Sequence, residues 1–204
     1  LLLNPDTEIR PDTLQVMLDF MEARPSAGIA GCKVLNRQGG LDLACRRKFP
    51  NPRNAFARLC LLSKKDYNLL SGDPGQPQQV DSVMGAFLLI RRQVMDEIGL
   101  LDESFFMYGE DIDLSYRITK AGYFNYYFPG TTIIHYKGES SKKASLQYIR
   151  IFYQAMLIFT AKHYKGSKKN LFRLFIYIAI YLRAIVSVII QALKKIGRPV
   201  ADFG

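Results

Sequence analysis

Cysteine is scarce in this 204-residue chain and poorly placed for its usual structural uses. Cys32, Cys45 and Cys60 are an odd number at wide spacing. With no CxxC pair and no nearby histidine, they argue against a zinc site and for reduced thiols in a cytosolic compartment. Acidic residues nearly vanish from the last third. From Lys142 onward, 12 Lys and Arg stand against 1 acid, a net +11, whereas 16 basic and 17 acidic residues through Ser141 give −1. The chain's overall +10 is therefore C-terminal in origin. Such one-sided charge suits an anionic partner, either nucleic acid or phospholipid headgroups. No internal repeat is visible, and the first residues, "LLLNPDTEI", lack an initiator Met and the layout of a signal peptide. They open directly as a strand, so the expectation is a chain that begins inside a domain with upstream sequence missing. A content of 49% apolar residues excludes low-complexity disorder and allows one domain with a real core and an appendage.

Residues 1 to 3 have the character of a strand end. Pro11 then opens an amphipathic helix through about Arg24, where Pro25 prevents continuation. "AGIAGCKVL" follows as a buried strand, and strand, helix and strand in that order predict a parallel βαβ unit. A short strand is expected near Leu41 to Cys45, and a short helix at 54 to 62. Residues 63 to 79, rich in Gly, Pro and polar side chains, predict a mobile loop. "VDSVMGAFLLIRR" returns to strand, and a short helix ends at Gly99. "GEDIDLSYRITKAG" is a helix closed by Gly122. "YFNYYFP" and "TTIIHY" predict two further strands, followed by helices over roughly 145 to 164 and 170 to 195.

The stretch "FFMYGEDIDLSYR" sets three carboxylates behind an aromatic run. Glu110 and Asp111 fall in the first helical turn, where unpaired N–H groups and the dipole stabilise negative charge. Asp113 and Arg117, four apart, suit a structural ion pair. Acidic residues cap helices in every sort of protein. Here the neighbouring apolar side chains raise proton affinity against the dipole, which makes a balanced carboxylate a plausible general base. "NPD" directly follows the first strand, where Asp6 is able to ligate a hard cation beside Asn4, or simply to form an Asx turn. His135 ends "TTIIHY" ahead of "KGESS"; it is either a hydrogen-bonded strand residue or a partner for a manganese-like ion. Gly138, Ser140 and Ser141 form a loop able to approach phosphate oxygens.

Taken in order, "LLLNPDTEI", "VDSVMGAFLLIRR", "IGLLDESFFMYGEDIDLSYRITKAGY" and "IIHYKGESS" closely resemble the second half of family 2 glycosyltransferases, particularly the rhamnosyltransferase-like branch, over about residues 1 to 165. The resemblance implies an α/β fold of GT-A type, with a mostly parallel sheet flanked by helices and its N-terminal part missing. It also implies a nucleotide-sugar donor and a divalent metal, magnesium or manganese. On that likeness Asp6 is the metal-binding residue of a DxD-type motif whose first position is Asn4. His135 is the second protein ligand, and Asp111 is the catalytic base. Gly85 and Ala86 lie beside the donor sugar, and Glu110 belongs with Asn4 among the substrate-binding residues. An inverting transfer needs one base and one Lewis acid, which this set supplies.

"LFRLFIYIAIYLRAIVSVIIQAL", residues 171 to 193, is long enough as a helix to cross a bilayer. Arg183 near its centre costs roughly 2.5 to 3.5 kcal/mol on insertion. Arg173, Tyr177, Tyr181, Ser187, Gln191 and Lys194 or Lys195 recur at near-helical spacing and make one side more polar. With "KHYKGSKK" and "LKKIGR" flanking the segment, the pattern favours a helix lying in the membrane interface, against the alternative of a helix packed on the domain. Stacking aromatics interleaved with basic residues are missing, which places nucleic acid lower. The resulting expectation is a glycosyltransferase portion over residues 1–165 and a basic, membrane-associating helical tail over 166–204. Such a protein would act on a glycan or lipid-linked acceptor at the cytoplasmic face of the membrane during polysaccharide synthesis. The competing expectation is a non-catalytic membrane-bound scaffold with the same fold.

Overall fold

A computed structural model describes residues 1–51, 72–136 and 146–196, with side chains described except at 146–149, 179, 183, 184 and 186–196. Cys60, the helix expected at 54 to 62, most of the loop expected at 63 to 79, and Gly138, Ser140 and Ser141 lie outside the described residues.

Two short strands, β1 (Leu2–Leu3) and β2 (Thr7–Glu8), precede helix α1 (Thr13–Glu22) and strand β3 (Ala27–Leu35). A 3-10 turn spans Leu43–Cys45, where the sequence predicts a strand; Asp42 accepts from the Ala44 N–H and draws the backbone into that turn. Strands β4 (Gln78–Val80) and β5 (Phe87–Ile90) follow, then helices α2 (Arg92–Ile98) and α3 (Glu110–Lys120). Strand β6 (Phe124–His135) and helices α4 (Leu146–His163) and α5 (Gly166–Ile196) complete the order.

The sheet runs β1-β5-β3-β6-β2, with β4 also paired to β6. It is mixed, and the expectation of a mostly parallel sheet is corrected: among the described residues only β3 and β6 pair in parallel, while β1–β5, β3–β5, β2–β6 and β4–β6 are antiparallel. A strand-helix-strand sequence fixes direction and leaves adjacency open. β1 and β3 do run the same way, but β5 returns between them and pairs antiparallel with both. β6 is one strand where the sequence predicts two. Pro129 and Gly130 are absorbed as an irregularity, because the register against β3 jumps from Cys32↔Phe128 to Lys33↔Thr132.

β3 is buried along nearly its whole length, as a central strand covered on both faces must be. Met17, Phe20 and Met21 of α1, Leu114 and Ile118 of α3, and Phe87 and Leu88 of β5 build the main core around it. Close packing of α3 depends on Gly28, where an added Cβ would stand 2.6 Å from Ile118 Cγ2. Cys32 and Cys45 are buried free thiols, and burial pushes Cys32 up to about 12, so neither is a reactive nucleophile.

A second cluster of Phe105, Ile112, Ala155 and Phe159 joins α3 to α4. Beside it lies a buried charge network centred on Asp113, which is wholly inaccessible. Arg117 Nε donates to Asp113 Oδ2 at 2.8 Å, as the spacing predicts, and His163 Nε2 and Lys162 Nζ from α4 reach Asp113 Oδ1 at 2.6 and 2.9 Å. Burial would raise the Asp113 pKa, but the hydrogen bonds from His163, Lys162 and Arg117 prevail and lower it. Removing one member of such a network leaves its partners charged and unpaired. Asp113→Ala should therefore cost about 3 kcal/mol or more in denaturant unfolding. Since the folded pKa is depressed, the wild-type advantage should be full at neutral pH and fade as pH falls below about 4.

Candidate functional site

The register of the two-stranded pairing between β2 and β6 builds the first half of the site. Thr7 lies opposite His135, and Tyr136 N–H donates to Asp6 O at 2.9 Å. This pins the tight "NPD" turn against the end of β6. His135 Nε2 then lies 3.1 Å from Asp6 Oδ1 and 3.5 Å from Asn4 Nδ2. His135 is buried and Asp6 is half-buried.

That spacing fits a shared cation. Two ligands about 2.1 Å from one octahedral ion and at right angles are about 3 Å apart. The donor set, one carboxylate oxygen and one imidazole nitrogen, suits magnesium- or manganese-like ions. Among the described residues, no group of three or more His, Cys, Asp and Glu side chains is placed to hold an ion, so phosphate or water oxygens would have to complete the shell.

Asp111 and Glu110 make the second half, at the N-terminus of α3. Gly109 precedes them with φ +91, a left-handed conformation that favours glycine, and an added Cβ there would stand 3.1 Å from the Phe105 ring. Asp111 Oδ2 accepts from Arg47 Nη2 at 2.6 Å and from the Gly85 N–H at 2.9 Å. Among the described residues Oδ1 has no hydrogen-bond partner. One oxygen thus anchors the carboxylate while the other is left available.

Glu110 differs from its neighbour. Its Oε2 atom is buried and, among the described residues, has no hydrogen-bond partner. Burial first, and then the Asp111 charge, raise its pKa from 4.5 to about 7, against the opposing pull of its own backbone N–H and Arg47.

The two halves meet through the turn before β5. Asn4 N–H donates to Ala86 O at 3.1 Å, and the preceding residue, Gly85, donates to Asp111. A Cβ on Gly85 would lie 3.4 Å from Asp111 Oδ2 and 3.6 Å from Glu110 Oε1. Gly85 and Ala86 sit in a turn rather than inside a strand. Asn4, Asp6, His135, Ala86, Gly85, Asp111 and Glu110 therefore form one connected series.

Sequence reasoning missed Arg47. Its backbone forms a bridge with Ser82, and its guanidinium also reaches Val83 O at 2.5 Å, which brings it under the Asp111 carboxylate. "RRKFPNPRN" offered several arginines and no periodicity to single one out.

A family model described as "Glycosyltransferase like family 2" matches residues 1–153. The chain is 26% identical to the N-acetylglucosaminyl-diphospho-decaprenol L-rhamnosyltransferase of Mycobacterium tuberculosis, over 81% of this chain and 56% of that protein. It is 29% identical to rhamnosyltransferase WbbL of Escherichia coli K12, over 67% of this chain and 51% of that protein. It is 31% identical to the low-salt glycan biosynthesis hexosyltransferase Agl10 of Haloferax volcanii, over 57% of this chain and 35% of that protein. The chain thus spans about half the length of the two rhamnosyltransferases it matches.

The raised pKa of Glu110 has a definite sign. Its contribution to stability is full below 4.5 and is lost as pH rises through about 7. Glu110→Gln keeps the neutral shape at every pH, so it should abolish a loss on the order of 2 kcal/mol between acid and neutral pH. Urea unfolding of both proteins across that range measures the difference.

Proposed function

The chain belongs to the glycosyltransferase like family 2, and from that membership we propose that it carries the metal-binding and acceptor-activating side of an inverting glycosyltransferase with a GT-A arrangement. The donor would be a nucleotide sugar, with rhamnose as the transferred sugar suggested by two of the named relatives. The acceptor would be a glycan or a lipid-linked saccharide, the latter because one relative's name specifies a diphospho-decaprenol substrate. The observation that carries this reading is the series of contacts joining Asp6 and His135 to Asp111 through Asn4, Ala86 and Gly85.

In this mechanism the acceptor hydroxyl gives its proton to Asp111 Oδ1 while its oxygen bonds to the anomeric carbon of the donor. The bond from that carbon to the donor phosphate oxygen breaks in the same displacement, which inverts the centre. Asp111 suits the work because Arg47 and the Gly85 N–H hold Oδ2 and so fix the carboxylate's orientation. Asp6 and His135 would hold a divalent cation, magnesium or manganese, which when bound supplies Lewis-acid stabilisation of the leaving diphosphate. Glu110, whose Oε2 has no partner among the described residues, offers a substrate hydroxyl a hydrogen bond in either protonation state. Absence of a side chain at Gly85 keeps open the space beside both carboxylates.

The test uses this chain extended to the full length of its relatives, assayed for nucleoside diphosphate release across a panel of nucleotide sugars. Release that requires both acceptor and metal is the expected result; hydrolysis-free silence across the panel would favour the scaffold. Asp111→Asn should lower kcat roughly 10²- to 10⁴-fold while donor affinity stays near normal. Turnover close to wild type would place the base elsewhere. His135→Ala should shift the metal titration by roughly tenfold or more, and an unmoved midpoint would remove it from the ligand set.

A further inference from the structure

Helix α5 buries one side and leaves greasy side chains on the other. Phe172 and Ile176 are almost wholly buried, at 0% and 3% exposure, and Phe172 meets the ring of Tyr164 at 5.3 Å just past the end of α4. Leu171, Leu174, Ile178, Tyr181 and Ile185 are exposed, Tyr181 by 69%, and recur every three or four residues along a single stripe. Leu182 and Tyr177, also exposed, widen it on its two sides. Tyr177 and Tyr181, which the sequence pattern groups with Arg173 on a polar side, thus border or join an aliphatic face. The helix that the sequence offered either to the domain or to a membrane presents a different side to each.

We infer that this outer face of α5 is a docking surface for an anionic lipid bilayer, on which the helix lies in the plane of the interface. Three observations choose the occupant. The apolar arc is broader than the two-in-seven stripe of a two-helix seam. Across Gly166–Ile196 there are six Lys and Arg and no acid, so a second copy laid along it would meet like charge with no ion pair to offset it. Exposed Lys165, Lys168 and Arg173 sit at the N-terminal end of the stripe, where they reach headgroup phosphates while the aliphatic side chains enter the acyl boundary. No helix among the described residues is long and apolar enough to cross a membrane. An in-plane helix needs no such length. The cytoplasmic leaflet, with its anionic lipids, is the surface this charge would select. Docking stands on α5 alone; its use, to bring a lipid-linked acceptor to Asp111, rests on the proposed function.

The full chain is mixed with phosphatidylcholine vesicles and with vesicles containing phosphatidylglycerol, then sedimented. Binding to the anionic vesicles, weakened by salt, is expected, with a loss of at least tenfold for Ile178→Glu/Ile185→Glu, both at exposed positions where folding is undisturbed. Lys165→Glu/Lys168→Glu should weaken binding to anionic vesicles and leave neutral vesicles unaffected. Unchanged binding in the Ile178→Glu/Ile185→Glu variant would overturn the assignment. So would a chain that ignores vesicles but forms a dimer that this variant dissociates, since the occupant would then be a second copy. Transfer to a soluble acceptor analogue by the variant in the extended enzyme should be unaltered. Loss of lipid binding and failure of the enzymatic reading therefore register separately.

Discussion

The position of the whole site depends on the neutralisation of one buried carboxylate. Asp113 has no contact with solvent, and an uncompensated charge there would cost several kcal/mol. It is accommodated because Arg117 arrives from the next turn of α3 while His163 and Lys162 arrive from the end of α4. Arg117 extends the anchor by donating to Ile98 O and Leu100 O, tying down the segment that leads out of α2. Lys162 also reaches Asp102 in the same segment. Three separate elements are thus registered on one side chain, and the aromatic packing of Tyr116 and Phe159 around His163 shields it.

This anchoring explains why the chain sets three acids beside so many apolar residues. Positions two apart on a helix project to different sides, so Asp111 and Asp113 cannot share an environment. Asp113 turns to α4 and has a lowered pKa because hydrogen bonds from His163, Lys162 and Arg117 outweigh its burial. Asp111 turns to the β4–β5 turn, where Arg47 and Gly85 occupy one of its oxygens. Glu110, just ahead of both in sequence, is half-buried with no cation in hydrogen-bonding contact among the described residues, and is raised to about 7. Three carboxylates close in sequence thus meet three different sets of neighbours, which is the usual way a fold assigns separate tasks to similar groups.

What was legible in the sequence follows the range of the interactions. The helix from Glu110 to Lys120, its closure at Gly122, and the Asp113–Arg117 pair are local, and the residue pattern contains all that determines them. Asn4, Asp6, Gly85, Ala86, Glu110, Asp111 and His135 were singled out through ordered motifs, and the structure brings those residues into one connected series. Pairing direction was less visible, because β5 inserts between β1 and β3 through contacts about 60 residues apart with β3 and about 85 apart with β1. The continuity of β6 was hidden by Pro129 and Gly130, which ordinarily end a strand and here sit in an irregularity. Arg47, Lys162 and His163 were hidden for the same reason: each acts on a residue of α3 at least 49 positions away. No local periodicity encodes such a contact.

The same network bears on how a surface helix would influence chemistry at the sheet. α5 is packed to the body of the protein through Phe172 and Tyr164, one residue beyond His163. Tyr164 O–H donates to Pro50 O, three residues from Arg47, and burial raises its pKa to about 12, so that bond persists at any physiological pH. From the helix that carries the apolar stripe there are accordingly two short routes into the site: through His163 and Asp113 to α3, and through Pro50 to the segment bearing Arg47. Packing thus connects α5 both to the helix that carries Asp111 and to the segment bearing the arginine that orients its carboxylate.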